Sequence, residues 1–258
     1  MKLIAHSSFC LFLILAACTG PAARAESAAP LDAARAAIKQ GDLATAESLL
    51  APLTAGEKPD AAAVHELGLL RQRQKRNVDA IALLERATTL DPSRADYFSD
   101  LGIAISQRMG EVDFMAQGML AGKLRKAFAH SVELDPNHLP GLIGLARYYT
   151  AAPEIAGGSV AKATEFAQRV QKLDPFLGEL ELANIDQHAE NFAGALAHDE
   201  AALALRPDNA WLHVSAGRAL VQLNRRDDAR AHYEAALKLN PNYAPAKKAL
   251  AELAAPPS

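Results

Sequence analysis

Cysteine is nearly absent from this chain. Its 258 residues contain two, Cys10 and Cys18, both close to the start. The rest must fold on apolar packing alone, without a disulfide. Long apolar runs are also missing. The one compact run, Phe9 to Ala17, is too short to span a bilayer, and no later window approaches the roughly eighteen apolar residues that a membrane helix needs. Neither charge dominates, with 27 Lys and Arg against 30 Asp and Glu. No basic stripe follows the pattern of a nucleic-acid binder, so nucleic acid is not an expected partner.

Reactive motifs are missing as well. His65-Glu66 opens an H-E-x-x-H zinc-protease signature, but Leu69 stands where the second His belongs. Gly157-Gly158-Ser159 lacks the surrounding pattern of a phosphate loop and reads better as a turn, with Ser159 capping a helix that starts near Val160. No serine sits in a G-x-S-x-G setting. His130, His138, His188 and His198 read as surface or capping residues. Met109, Met115 and Met119 admit a copper-carrier alternative, since thioethers favour Cu(I) and Met115 and Met119 share a helical face. The plainer reading is that these flexible side chains pack an insert against its neighbours. The expectation is no catalytic residue, no metal site, no cofactor and no enzyme.

Residues 1–25 read as an export signal, with Lys2 ahead of the apolar run. Two processing routes are legible. Leu15-Ala16-Ala17-Cys18 resembles the lipobox of bacterial lipoproteins, in which Cys18 is lipidated; Thr19 after it is similar to the outer-membrane class. Ala23-Arg24-Ala25 before Glu26 is an ordinary A-x-A site. Both routes predict export to the periplasm, the first with a lipid tether to the outer membrane. Residues 19–30 read as a flexible tether. A chain beginning at Glu26 carries 25 basic and 30 acidic residues.

What the sequence does have is a repeat. Pro92, Pro136, Pro175, Pro207 and Pro241 close successive units, at spacings of 44, 39, 32 and 34 residues. Ahead of Pro92 lie Leu67-Gly68, Ala80, Leu84 and Ala87; ahead of Pro241 lie Ala216-Gly217, Ala229, Tyr233 and Ala236. The unit closed by Pro207 has Leu182-Ala183, Ala195 and Ala202, with Asp199 in place of an aromatic. This pattern resembles the tetratricopeptide repeat (TPR), in which small residues let two helices approach and larger ones fill the remaining space. The resemblance implies an all-α, right-handed TPR superhelical solenoid of about six helix-turn-helix repeats plus a C-terminal capping helix. The solenoid spans 26–254, with repeats near 30–59, 61–94, 95–138, 139–177, 178–209 and 210–243, and the cap at 244–254.

Two units exceed the period. The extra residues fall at 107–123, expected to separate the two helices of the third unit, and at 151–159 in the fourth. Such inserts map to turns on one edge of a solenoid, where specificity often resides. The run Ala152-Pro153 to Ser159, followed by a Lys-Ala helix, is similar to a group of bacterial envelope TPR proteins. In a TPR array the first helix of each pair lines the concave groove. The register puts His65, Gln72, Arg73, Ser99, Gln107, Arg147, Asn184, Gln187, His188, Arg218 and Gln222 there. The set is polar, with Arg and few acids, and suits an extended peptide or a C-terminal carboxylate. The carboxylate clamp of chaperone-tail binders is not reproduced, because its first two positions fall on His65 and Leu69. Trp211 reads as packing between repeats, with a groove anchor as the alternative. The expected role is a non-catalytic interaction scaffold of the bacterial envelope, binding a protein or peptide in the groove or at the inserts. An envelope assembly factor, for the outer membrane, a pilus or cytochrome c maturation, is the alternative; oligomeric state is open.

Overall fold

The computed structural model describes residues 21–254, with side chains from residue 29 onward. The expected leader, apart from its last five residues, and Cys18 lie outside the described residues. Thirteen α-helices and one short 3-10 turn make up the regular structure, and no strand occurs among the described residues. The helices come as six pairs and a cap. They are α1 (Pro21–Gln40) with α2 (Leu43–Thr54), α3 (Ala61–Arg73) with α4 (Asn77–Leu90), and α5 (Ala95–Met109) with α6 (Phe114–Leu134). Then follow α7 (Leu139–Ala151) with α8 (Val160–Leu173), α9 (Pro175–His188) with α10 (Phe192–Leu205), α11 (Ala210–Gln222) with α12 (Arg226–Leu239), and α13 (Ala244–Ala254). No helix among the described residues is long and apolar enough to cross a membrane.

Small residues decide how closely each pair packs. A Cβ added to Gly68 would lie 2.8 Å from Leu84, and one added to Gly102 would lie 2.7 Å from the Phe128 ring. Gly217 meets Tyr233 in the same way. Ala80 and Ala87, Ala195 and Ala202, Ala229 and Ala236 repeat on the second helices, all essentially without exposure. Leu50, Leu70, Leu84, Leu142, Leu212 and Leu220 are sealed between layers. Each contributes about 1.5–3 kcal/mol through burial. At the far end α13 buries Ala246, Ala249 and Leu253 in one cluster with Val214 and Tyr233, so it closes the last pair.

Turns and caps account for the boundaries. The tight turns between paired helices use a left-handed residue at the same place in four units: Gly41, Lys75, Glu190 and Asn224, with φ of 80°, 59°, 56° and 58°. Asp60, Asp113, Ser159, Asn191 and Asn209 each accept a backbone N–H of the following first turn. Asp174 ends α8 and also caps α9 through the Leu177 N–H, with Pro175 as the first residue of α9. One residue thus serves two helices, which explains the short 32-residue spacing.

Two expectations change and one holds. The residues at 107–123 do not form a loop between helices. Met109 completes α5, a short turn follows, and Asp113 starts a 21-residue α6 against 14 residues for α4, α8, α10 and α12. The first insert is therefore mainly a two-turn extension of the second helix. The insert at 151–159 is a true turn, carrying the 3-10 segment Glu154–Ala156, and the Tyr148 hydroxyl fastens it by donating to the Ala156 carbonyl at 2.6 Å. The expected tether is helical from Pro21, since an alanine-rich stretch has strong helix propensity.

Candidate functional site on the row of first helices

The first helices of successive pairs lie side by side, and polar side chains lace them together at roughly one repeat. Arg35 Nε on α1 donates to Glu66 on α3 at 2.6 Å. His65 Nε2 on α3 meets Asp100 Oδ2 on α5 at 2.8 Å. His138 Nε2, at the start of α7, meets Ser99 Oγ on α5 at 2.9 Å. Arg147 on α7 grips Glu181 on α9, with Nη2 2.6 Å and Nε 3.0 Å from Oε1. These are charge-assisted or geometrically fixed bonds between layers, and they set the register of one unit on the next.

That lacing divides the expected groove residues. His65 and Ser99 are buried, and neither is presented to a partner. The His65 ring stacks on Tyr97 at 4.3 Å, and Ser99 donates to the Asp96 carbonyl while receiving His138. Their place beside the core stripe puts them between adjacent units, which is why they are enclosed. Gln72 is half-buried, and Arg73 is tied back to the Ile38 carbonyl at 3.3 Å. Gln107, Asn184, Gln187, His188, Arg218 and Gln222 are exposed. Arg147 is also exposed, yet two of its nitrogens are engaged by a Glu181 side chain only 4% accessible. Its charge is largely answered within the chain. Arg218 differs, because it opens with Gln222 and Tyr233 into a cleft of about 200 Å³ against α13, shared with Arg226 and Glu252.

Other side chains read from the sequence find definite places. Trp211 is half exposed at the start of α11, contrary to the expected packing between repeats. Met109 is partly buried against the third unit's core, but Met115 and Met119 are 80% and 71% exposed and stand outside the apolar clusters of the described residues. They lie on the outward face of the extra turns, so packing within the described fold does not explain these two methionines. His130 pairs with Glu133, and His198 sits between Glu179 and Asp186. Among the described residues no group of three His, Cys, Asp or Glu side chains could hold a metal ion.

Two features escaped sequence reading. A cleft of about 650 Å³ lies between α4, α5 and α6, walled by Glu85, Phe98, Ile105, Lys123 and His130. Its α6 wall, Lys123 to Glu133, belongs to the regular part of that helix and not to its two extra turns. The second is the burial of Asp199, whose place in an aromatic's slot the sequence does show. Asp199 fills the slot that Leu84, Phe128 and Tyr233 occupy elsewhere, is 1% exposed, and leaves Oδ1 without a hydrogen-bond partner. Burial pushes its carboxyl up to about 6, against the opposing pull of the Ser215 side chain and His198.

Comparison with known proteins agrees with this geometry. Two tetratricopeptide-repeat profiles match residues 31–95 and 187–253, together about half of the chain. No curated protein matches the sequence. Among solved structures, PilW, described as a widely conserved type IV pilus biogenesis factor, superposes with a TM-score of 0.73 at 14% identity, covering 87% of this chain and 98% of its own. The pilF protein of Pseudomonas aeruginosa gives 0.66 at 15% identity, over 89% and 99%. A tetratricopeptide repeat protein of Parabacteroides merdae gives 0.70 at 13% identity, over 89% and 86%. Such low identities speak for the fold alone. The repeat profiles and the laced stack of helix pairs together make this chain a member of the tetratricopeptide-repeat superfamily.

Proposed function

We propose that this chain is a non-catalytic protein-binding scaffold of the bacterial cell envelope, holding an extended partner segment along its row of first helices. Arrays of this family present long concave surfaces to protein partners. The observation that carries the reading is the division of labour along that row. Buried polar side chains lock the units, which leaves a rigid floor, while Asn184, Gln187, Arg218 and Gln222 remain exposed on it. A preformed polar floor spares a partner the entropy of ordering its receptor. Arg218, opening into its cleft, is the natural seat for a carboxylate of the partner.

The envelope setting rests on the leader-like residues 1–25. Either route of processing delivers the chain to the periplasm, and lipidation of Cys18 would tether it to the outer membrane. An assembly role, of the kind described for PilW, is the second reading. It is favoured by a likeness that spans nearly the whole of both chains. Arg218→Glu tests the groove: capture of the partner should fall at least tenfold, and unchanged capture would move binding away from this face. Radiolabelled palmitate should enter the wild-type protein and not Cys18→Ser; equal labelling of both, or of neither, removes the tether.

A further inference from the structure

The first turns of α6 carry the largest uncovered apolar side chains of the described fold that lie together on one helix. Phe114 is 85% exposed, and with Met115, Gly118, Met119, Gly122, Lys123 and Lys126 it forms one continuous outward stripe. These positions recur at i, i+4 and i+8, so they share a single face about 18 Å long at 1.5 Å per residue. The opposite face is occupied: Leu120, Ala121 and Leu124 join the apolar cluster that also holds Tyr148, Tyr149 and Ala152. Gln117 donates to the Met109 and Val112 carbonyls, and Asn77 donates to Glu111, so the extra turns are held rigidly. An ordered helix with an apolar outer stripe is a surface awaiting a partner, not a frayed end.

We propose that this stripe is a self-association surface on which α6 of a second copy packs antiparallel. Three features select that occupant. The stripe has a notch, since an added Cβ at Gly118 or Gly122 meets nothing within 4 Å, so another helix can approach closely. Its bulk is spaced to fill the same notch on a copy. With the two-fold axis near Gly118, Phe114 and Met115 of one chain fall beside Gly122 of the other, and the two sets of Met119 meet across the axis. Its charge is polarised end to end, with Asp113 ahead of Phe114, Glu111 before it being answered by Arg108 at 2.9 Å, and with the exposed Lys123 and Lys126 behind Gly122. Antiparallel packing sets each acidic start against the basic end of the other copy and opposes the helix dipoles, whereas parallel packing would put the lysines together. Lys123 already reaches Glu85 at 3.2 Å, which leaves Lys126 as the lysine nearer the seam.

One helix face on each copy is less than a permanent dimer buries, so association should depend on concentration in the micromolar range, on the order of standard weak interfaces. This inference stands apart from groove binding, because α6 is a second helix and the groove is lined by first helices. It also gives exposed Met115 and Met119 a packing role that the core clusters of the described residues do not.

The test uses the full chain with Cys10→Ser and Cys18→Ser. Sedimentation over a concentration series should show the mass rising from 27.4 kDa toward twice that value. Phe114→Asp and Gly122→Leu should each weaken this at least tenfold, with helical content and the melting temperature of the dilute, monomeric chain not lowered, because both sites are open to solvent and leucine is the better helix former. Gly118→Cys in the same background should oxidise to a disulfide-linked dimer. A protein that stays monomeric at several hundred micromolar, a dimer indifferent to both substitutions, or a Gly118→Cys chain that does not crosslink would each overturn the proposal.

Discussion

Arg147 lies on the surface of α7 while its partner Glu181 lies beneath it on α9, and Nη2 sits 2.6 Å from Oε1. The exposed member screens a buried carboxylate and joins the fourth unit to the fifth. A pair of this kind is lopsided. Removing the arginine strands a charge in the interior, whereas removing both charges together relieves the burden.

Arg147→Ala should therefore cost about 1–3 kcal/mol of stability, discounted from a fully buried pair because the arginine is open to solvent. Adding Glu181→Gln should restore most of the loss. Urea unfolding of the two single variants and the double variant measures the coupling. Additive losses would show that the two residues act independently.

Asp199 should make stability depend on pH in an unusual direction. Its folded pKa is raised to about 6 from the ordinary 3.8, so between those values the folded protein holds a proton that the unfolded chain releases. Stability contributed here is complete below about pH 4 and is lost as pH rises through 6. Asp199→Asn should stabilise the protein at pH 8 by about 2 kcal/mol, with the gain shrinking toward pH 4. Thermal melts of both proteins across that range check it.

His213 and His232 work the other way. Their Nδ1 atoms are 3.2 Å apart, and burial holds both below the ordinary imidazole pKa, with His232 further disfavouring charge on His213. The unfolded chain takes up protons first, so stability falls as pH drops below about 6.5. In an Asp199→Asn background, which removes the opposing trend, His232→Gln should flatten the loss between pH 7 and 5. A melt as pH-sensitive as before would assign the acid loss elsewhere.

The turn residue Glu190 offers a stability gain. Its φ of 56° is left-handed, the position Gly41 fills in the first unit. Relief of that strain exceeds the added chain entropy of glycine, so Glu190→Gly should raise stability by up to about 1 kcal/mol. Gly41→Ala should lower it by a similar amount. Chemical denaturation of the two variants decides the point.

Much of the architecture is legible in sequence because it rests on residues with few alternatives. Gly68 and Gly217 admit the partner helix, alanines such as Ala80 and Ala236 fill the seam, and Pro92 and Pro241 stop the second helix. What was hidden has a physical reason in each case. His65 and Ser99 stand on the first-helix register beside the core, but the twist between units turns them toward the next layer, where Asp100 and His138 meet them. Such bonds run 35 and 39 residues along the chain and have no local signature. The α6 extension reads as a loop because Gly110, Gly118 and Gly122 interrupt it. Asp113 capping the Ala116 N–H, with an outward stripe at helical spacing behind it, is the signal that would have revealed a helix.

The central claim is that the row of first helices holds an extended protein segment. A photoreactive amino acid placed singly at Asn184, Gln222, Lys172 and Lys238 in living cells tests it directly. Asn184 and Gln222 lie on first helices, and Lys172 and Lys238 lie on second helices. The account predicts the same crosslinked partner from Asn184 and Gln222, lost with Arg218→Glu, and none from Lys172 or Lys238. Crosslinks confined to the second-helix positions, or first-helix crosslinks that survive Arg218→Glu unchanged, would contradict it.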